Sequence, residues 1–561
     1  MKFRYTTIYA LFFLCCFTHC TKAILDKKDL GAVNESDVWK DNKLATAYVN
    51  KLYDDNLPGW NTSDAATSDE APGGDAIMYG QLTINSFDLW SYSNIRNINI
   101  LLKNIDGGTL PAATKDLLKG QAFFLRAWDY FGMVRLYGGV PLILEPQKIT
   151  DNLEVPRDKT SACVAQMVAD LDNAAKLLPA SWTGDDLGRV TKGAALALKG
   201  RILLYYASPQ FNPANDAVRW QNAYAANKMA REVLEAAGAG LYDKFANIWF
   251  DEMNKEVVFV NRYAYPDKVN DWNAATRPLS EAQNATGANH PTLEMVNAFP
   301  MKDGRPITDP AAGYDPVHYW KNRDPRFAAT IAYNGCPWEL SGKAGRRQWN
   351  YVGAETQFLS ETGFYCKKAV DVSYSRFFTY NSSTDWVEIR FAEVLMNLAE
   401  CANETGNTSE AYEILKLIRK RAGIEAGGDN LYGMKPGMNT DAMRDAIRLE
   451  RKIEFAYEGK RYWDLRRWKL FEKELNGKVR HGLVITLLIP QNEFSKIQDT
   501  VNLDQNYSQY FKDSLVAVDK VFKVDFKSNY YFYPINTTHL ELNGNLKQTN
   551  GWDGGAFDPL Q

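Results

Sequence analysis

The 561-residue chain is short of the residues that most often carry chemistry: it holds seven cysteines and five histidines. Cys15, Cys16 and Cys20 crowd the N-terminus, and Cys163, Cys336, Cys366 and Cys401 follow no zinc or disulfide-framework spacing. Cys163 and Cys401 sit in helical patterns and read as small buried hydrophobes. Spacing leaves open whether Cys336 pairs with Cys366. Past His19, the histidines His290, His318, His481 and His539 are scattered, with no HxxxH or HExxH pattern, so no metallohydrolase signature exists. GxSxG, P-loop and dinucleotide fingerprints are absent as well. Neither sign of charge is in excess: 65 basic and 68 acidic residues give −3, which argues against a nucleic-acid binder. Beyond the N-terminus no apolar run reaches the roughly 18 residues that a membrane-crossing helix needs. No cofactor and no metal is expected.

What the chain does have is an export-like start, many aromatics and paired helical patterns. Lys2 and Arg4 precede an apolar run over 8–17 that is too short to span a bilayer, as in a secretory signal. Cys20 follows Phe17-Thr18-His19, an arrangement similar to a lipobox, although His19 is larger than the residue usual there. Cys15 and Cys16 are rival acceptors, but polar sequence begins right after Cys20, which favours lipidation of Cys20 over a plain cleaved signal. Residues 1–19 are therefore expected to be a lipoprotein signal peptide and 20–561 one functional unit. Within that unit, 20–240 reads as a helical part and 241–561 as a loop-rich and helical part.

Helical periodicity predicts helices over 114–135, 161–178, 191–207, 220–237, 387–404, 409–421 and 441–468. Glycine or proline closes most of them. Ala194, Ala195 and Ala197 would let a neighbour approach closely. The fold class is therefore mainly α: degenerate tetratricopeptide-like helix pairs, long irregular loops and minor β. Residues 56–83 and 261–385 form the irregular stretches. Their aromatics argue against disorder and point to function.

Aromatics make up 13% of the chain. Trp60, Tyr79, Trp90, Trp272, Trp320, Trp338, Trp349 and Tyr351 all lie in loop-rich sequence and are candidate platforms for sugar rings, whose C–H faces meet aromatic faces. Asn61, Asn94, Arg96, Asn273 and Arg277 are candidate partners for sugar hydroxyls. The opposing reading is that such rings pin the loops to the helices.

The segment 449–468, LERKIEFAYEGKRYWDLRRW, interleaves charges with aromatics instead of separating them on two faces. Glu450, Glu454 and Glu458 are spaced four apart, with Arg451, Arg461, Asp464 and Arg467 on nearby turns. An acid/base pair is one reading. A buried ion-pair network at a helix seam is the expected one, because charge-dense helices are far more often salt-bridged than catalytic. Abundant carboxylates also leave a glycoside hydrolase as an unfavoured alternative.

That segment resembles the ERxxELxxEGxRxxDLxRW signature of the SusD/RagB family of outer-membrane nutrient-binding lipoproteins. The match is carried by Glu450, Arg451, Glu454, Glu458, Gly459, Arg461, Asp464, Leu465, Arg467 and Trp468. Further along the chain, Tyr137 to Pro141 is similar to the family's YGGVP, and Gly188 to Ala195 to its GRxTKxAA. Asn322 to Phe327 resembles RDPRF, Arg390 to Val394 resembles RxAEV, and Arg419 to Gly423 resembles RxRAG. The end matches less well: Asn536 replaces a proline after Tyr533-Pro534-Ile535, and Thr549-Asn550 replaces Asn-Pro. The resemblance implies a non-catalytic, lipid-anchored protein on the outer face of the outer membrane. It would capture oligosaccharides and pass them to a SusC/RagA-like TonB-dependent transporter. Peptide capture by the same lid arrangement is the alternative the family implies. Trp60 and Trp90, flanking the first irregular stretch, are the foremost candidates because the family often places ligand contacts in that region.

Overall fold

The computed structural model describes residues 35–283, 287–355 and 360–561. The signal segment and Cys20 lie outside the described residues. The molecule is mainly helical with small two-stranded sheets. Helix α1 (Asn42–Asn56) starts at Asp41, whose carboxylate accepts the backbone N–H groups of Lys43 and Leu44, a side-chain N-cap. After it come α2 (Tyr92–Asn104), α3 (Ala112–Tyr137), α4 (Thr160–Leu177), α5 (Lys192–Ala207) and α6 (Ala217–Ala236). Each helix packs on its neighbour in the chain: α1 and α2 on α3, then α3 on α4, α4 on α5 and α5 on α6. Such stacking of successive helices is what a tetratricopeptide-like scaffold requires.

Small residues of α5 let α6 approach closely. A Cβ on Gly200 would sit 2.4 Å from the Asn227 side chain of α6, so no larger residue fits. Thr191, predicted as the first residue of this helix, is its N-cap and accepts from Ala194 N.

Strand β1 (Val257–Asn261) pairs antiparallel with β2 (Trp386–Arg390), with Val257 opposite Arg390 and Asn261 opposite Trp386. The helix predicted to begin at 387 is thus corrected: its first residues are strand, and α7 (Phe391–Glu404) begins only after Arg390. The run WVEIR is buried throughout and carries the β-branched Val387 and Ile389, and pairing with β1 outweighs local periodicity there. Helix α8 (Thr408–Ala422) packs on α7, and α6 also packs on α7, which joins the two halves of the scaffold.

A second correction concerns 441–468, predicted as one helical region. It is two helices, α9 (Thr440–Glu454) and α10 (Arg461–Arg467), separated by a turn in which Tyr457 and Gly459 take φ values of 60° and 65°. Beyond it, β3 (His481–Leu487), α11 (Leu503–Tyr510) and β4 (Phe511–Ala517) form an appendage. Strands β3 and β4 pair antiparallel from His481 opposite Ala517 to Leu487 opposite Phe511. Cys163, Cys336, Cys366 and Cys401 are all buried and unpaired, so Cys336 and Cys366 form no bridge.

The charges of 449–468 are buried and paired with partners drawn from across the chain. The Arg390 guanidinium lies 2.7 Å from Glu256, 2.6 Å from Glu454 and 2.8 Å from Glu458. Arg326 pairs with Glu450 and Glu454, Arg419 with Glu450, Arg421 with Glu256 and Glu454, and Lys368 with Glu458. A neighbouring group joins Arg451 to Asp464, Asp464 to Arg467, and Arg467 to Glu400. With each carboxylate buried against two or more cations or N–H donors, the segment is the structural network that interleaved charge predicted. It leaves no carboxylate free to act as acid or base.

Candidate functional site

The predicted aromatic residues do not converge. Trp272, Trp338 and Tyr351 are 2%, 3% and 4% exposed. The expectation that these three offer stacking faces is corrected: their rings are packed inside. Trp272 also donates its indole N–H to Lys368 O. Asn273 and Arg277, expected as sugar partners, are fully buried too, and Arg277 caps the carbonyls of Tyr374 and Asp371.

Trp320 and Trp349 are half-buried and tie the appendage to the loop region. Trp320 stacks on Tyr333 with centroids 5.2 Å apart and donates to Asp504, while Trp349 meets Phe494 and Phe511. Tyr79 donates to Asp519, which Arg480 also holds. These rings pin loops, as large aromatics commonly do.

Trp60 and Trp90 are half-buried and line separate hollows. Trp90 stacks on His539, centroids 5.0 Å apart, and Nε2 of that imidazole is hydrogen-bonded to Asp88. With Tyr92, Pro141, Leu153 and Leu542 it borders a groove of about 250 Å³. Gln147 and Leu153 continue this groove into a second hollow, which Arg96 helps to line. Asn94 turns elsewhere and donates to Asp55 O.

Trp60 stacks on Trp272 at 4.6 Å and meets Trp386 edge-on, and its N–H donates to Thr384 O. It lines a cavity of about 360 Å³ between the 58–64 loop and the helical scaffold. Trp128 of α3, Trp386 of β2 and Trp463 of α10 add three more indoles, and Asn61 and Asp64 stand at the loop side. The floor is charged. Arg201 is clamped by Glu388 and Glu393, and Lys460 by Glu388. Those cations hold the Glu388 carboxyl down at about 2 despite its burial, whereas burial pushes Asp64 up to about 6. Flat apolar walls, a few converging polar groups and this volume suit a small ligand.

Sequence reasoning missed Trp128, Arg135, Trp386 and Trp463. Trp128 and Arg135 are seven apart on α3 and so share a helix face, and that spacing was the available signal. It also missed an exposed aromatic turn, Arg376–Asn381, where Phe377 and Phe378 are 68% and 52% exposed. Among the described residues no group of three or more His, Cys, Asp or Glu side chains is arranged to hold a metal ion, and no helix is long and apolar enough to cross a membrane.

Stacked helices, ring-lined hollows and a buried charge network together define the class of scaffold. The chain belongs to the SusD family, whose model matches residues 255–552, and residues 20–204 match a model described as starch-binding associating with outer membrane. A SusD-like protein of Formosa agariphila, P38, is 24% identical over 86% of this chain and 95% of its own length. The crystal structure of a SusD-like protein from Bacteroides fragilis superposes with a TM-score of 0.76 at 26% identity, covering 93% of this chain and 99% of that one. A SusD-like carbohydrate binding protein from the same species gives 0.72 at 23% identity, covering 91% and 100%.

Proposed function

We propose that the protein captures oligosaccharides at the outer membrane and hands them to a SusC/RagA-like TonB-dependent transporter without making or breaking a bond. The observation that carries the reading is the Trp60 cavity, four indoles around a polar floor, in a chain of the SusD family. Trp90 in its groove is a second contact point. Attachment is by lipid on Cys20. Several acyl chains on one residue hold a protein at a membrane where a single chain does not.

The test is a glycan screen by calorimetry, followed by Trp60→Ala and Trp90→Ala. A face of one aromatic ring contributes on the order of 1 kcal/mol, so each variant should weaken binding about five- to tenfold while its circular dichroism stays unchanged. Full affinity in a folded variant removes that ring from the site, and a peptide bound in place of any glycan overturns the ligand class. For the anchor, Cys20→Ser should move the protein from the membrane fraction to the soluble fraction. Retention in the membrane fraction would show that Cys20 is not the attachment point.

A further inference from the structure

The cavity beside Trp60 holds three cations, and only two of them are matched. Arg201 and Lys460 are paired with Glu388. Arg135 has no hydrogen bond and no ion pair among the described residues, and its Nε is buried without an acceptor. The Trp463 ring holds it most closely, with the guanidinium carbon 3.7 Å from the centroid, and the Phe131 ring lies 5.4 Å from it. A guanidinium lying over an indole uses its face and leaves its N–H edge for acceptors in its own plane. That edge matches two oxygens of a carboxylate or a sulfate ester. A half-buried cation without an ion pair is unfavourable: Glu388, which acts on it, is already shared by Arg201 and Lys460, and Asp64, which also acts on it, is itself pushed toward its neutral form by burial.

We infer that this cavity is a subsite for an anionic sugar residue, whose carboxylate or sulfate ester pairs with Arg135 while its ring lies among the indoles. The inference rests on the oligosaccharide-capture reading and names the class of glycan within it.

The experiment is calorimetry on the wild type, Arg135→Gln and Arg135→Lys. Galacturonic acid oligomers, their methyl esters, a sulfated galactan oligomer, a neutral galactan oligomer and inorganic sulfate serve as the probes. Expected is at least tenfold tighter binding of one anionic oligomer than of its neutral counterpart. Arg135→Gln should erase that preference and Arg135→Lys keep part of it. The uronate and sulfate arms tell the two anions apart. Methyl esterification makes the same comparison on wild-type protein if Arg135→Gln fails to fold. Equal binding of neutral and anionic oligomers overturns the subsite and leaves oligosaccharide capture standing. Binding of inorganic sulfate with no anionic sugar also overturns it. If no glycan of either kind binds, both the subsite and the capture reading fall.

Discussion

Arg390→Met should destabilise the protein by about 3–5 kcal/mol, the cost of breaking a buried ion pair from one side. The Arg390 side chain is 1% exposed and touches three carboxylates that are almost wholly buried as well. It also donates to the Glu454 carbonyl and lies over the Phe455 ring. Removal leaves Glu458 with Lys368, Glu256 with Arg421, and Glu454 with Arg326 and Arg421. Those cations remain, but each already serves its own geometry, and the lost guanidinium leaves uncompensated charge in a dry interior. Urea titration measures the effect. Lys51→Met is the control, since Lys51 and its partners Asp54 and Asp55 are solvated on α1 and their pairing is screened. A similar midpoint for both variants would show that burial does not set the cost.

Stability should fall steeply below about pH 4.5 and peak near pH 5. Opposite charges hold Glu388, Glu400, Glu450, Glu454, Glu458 and Asp464 below the usual carboxylate range against the pull of burial. For a group depressed in the folded state, the stabilisation is present above its unfolded pKa and is lost as pH falls through the folded one. Glu388 alone, moving from 4.5 to about 2, accounts for roughly 3 kcal/mol across that window. Burial acts the other way on Asp64 and Asp385, raised to about 6, and on Glu70, raised to about 7. Their contribution is complete below the unfolded pKa and is lost as pH rises through 6 to 7, which places the maximum near 5. Urea midpoints taken from pH 2.5 to 8 trace the curve. A monotonic rise to pH 8 would mean that the raised carboxylates do not contribute, and a flat acid limb would mean that the network does not.

Much of the scaffold was legible because burial of one helix face imposes a 3.6-residue period on the sequence. The helices at 112–137, 160–177, 192–207 and 408–422 lie within a few residues of where that period predicts them. Helices α1 and α2 escaped notice. In NKLATAYVNKLYDDN the apolar face is thin, and only packing on α3 makes it a core face. The turn between α9 and α10 was hidden for the opposite reason. The period runs unbroken through Phe455 to Lys460, and the left-handed residues Tyr457 and Gly459 interrupt the backbone without interrupting the pattern.

Binding residues were less legible than the scaffold, since an aromatic in a loop carries no sign of which way it points. Trp60 and Trp272 are the same residue type in similar surroundings, yet they stack on each other with one at a cavity and the other enclosed. Arg135 lies at the end of the predicted helix 114–135, and only the fold brings Trp463, 328 positions away in the chain, onto its face.

From the amino-acid order alone came the resemblance to the family, through its motifs, and also the helical class and the necessity of a paired charge cluster, because periodicity and the cost of burying charge act locally. Which cation meets which carboxylate, which indoles face a hollow and which guanidinium stays unmatched depended on contacts between distant segments. Local sequence does not encode those separations, and packing alone brings the groups together.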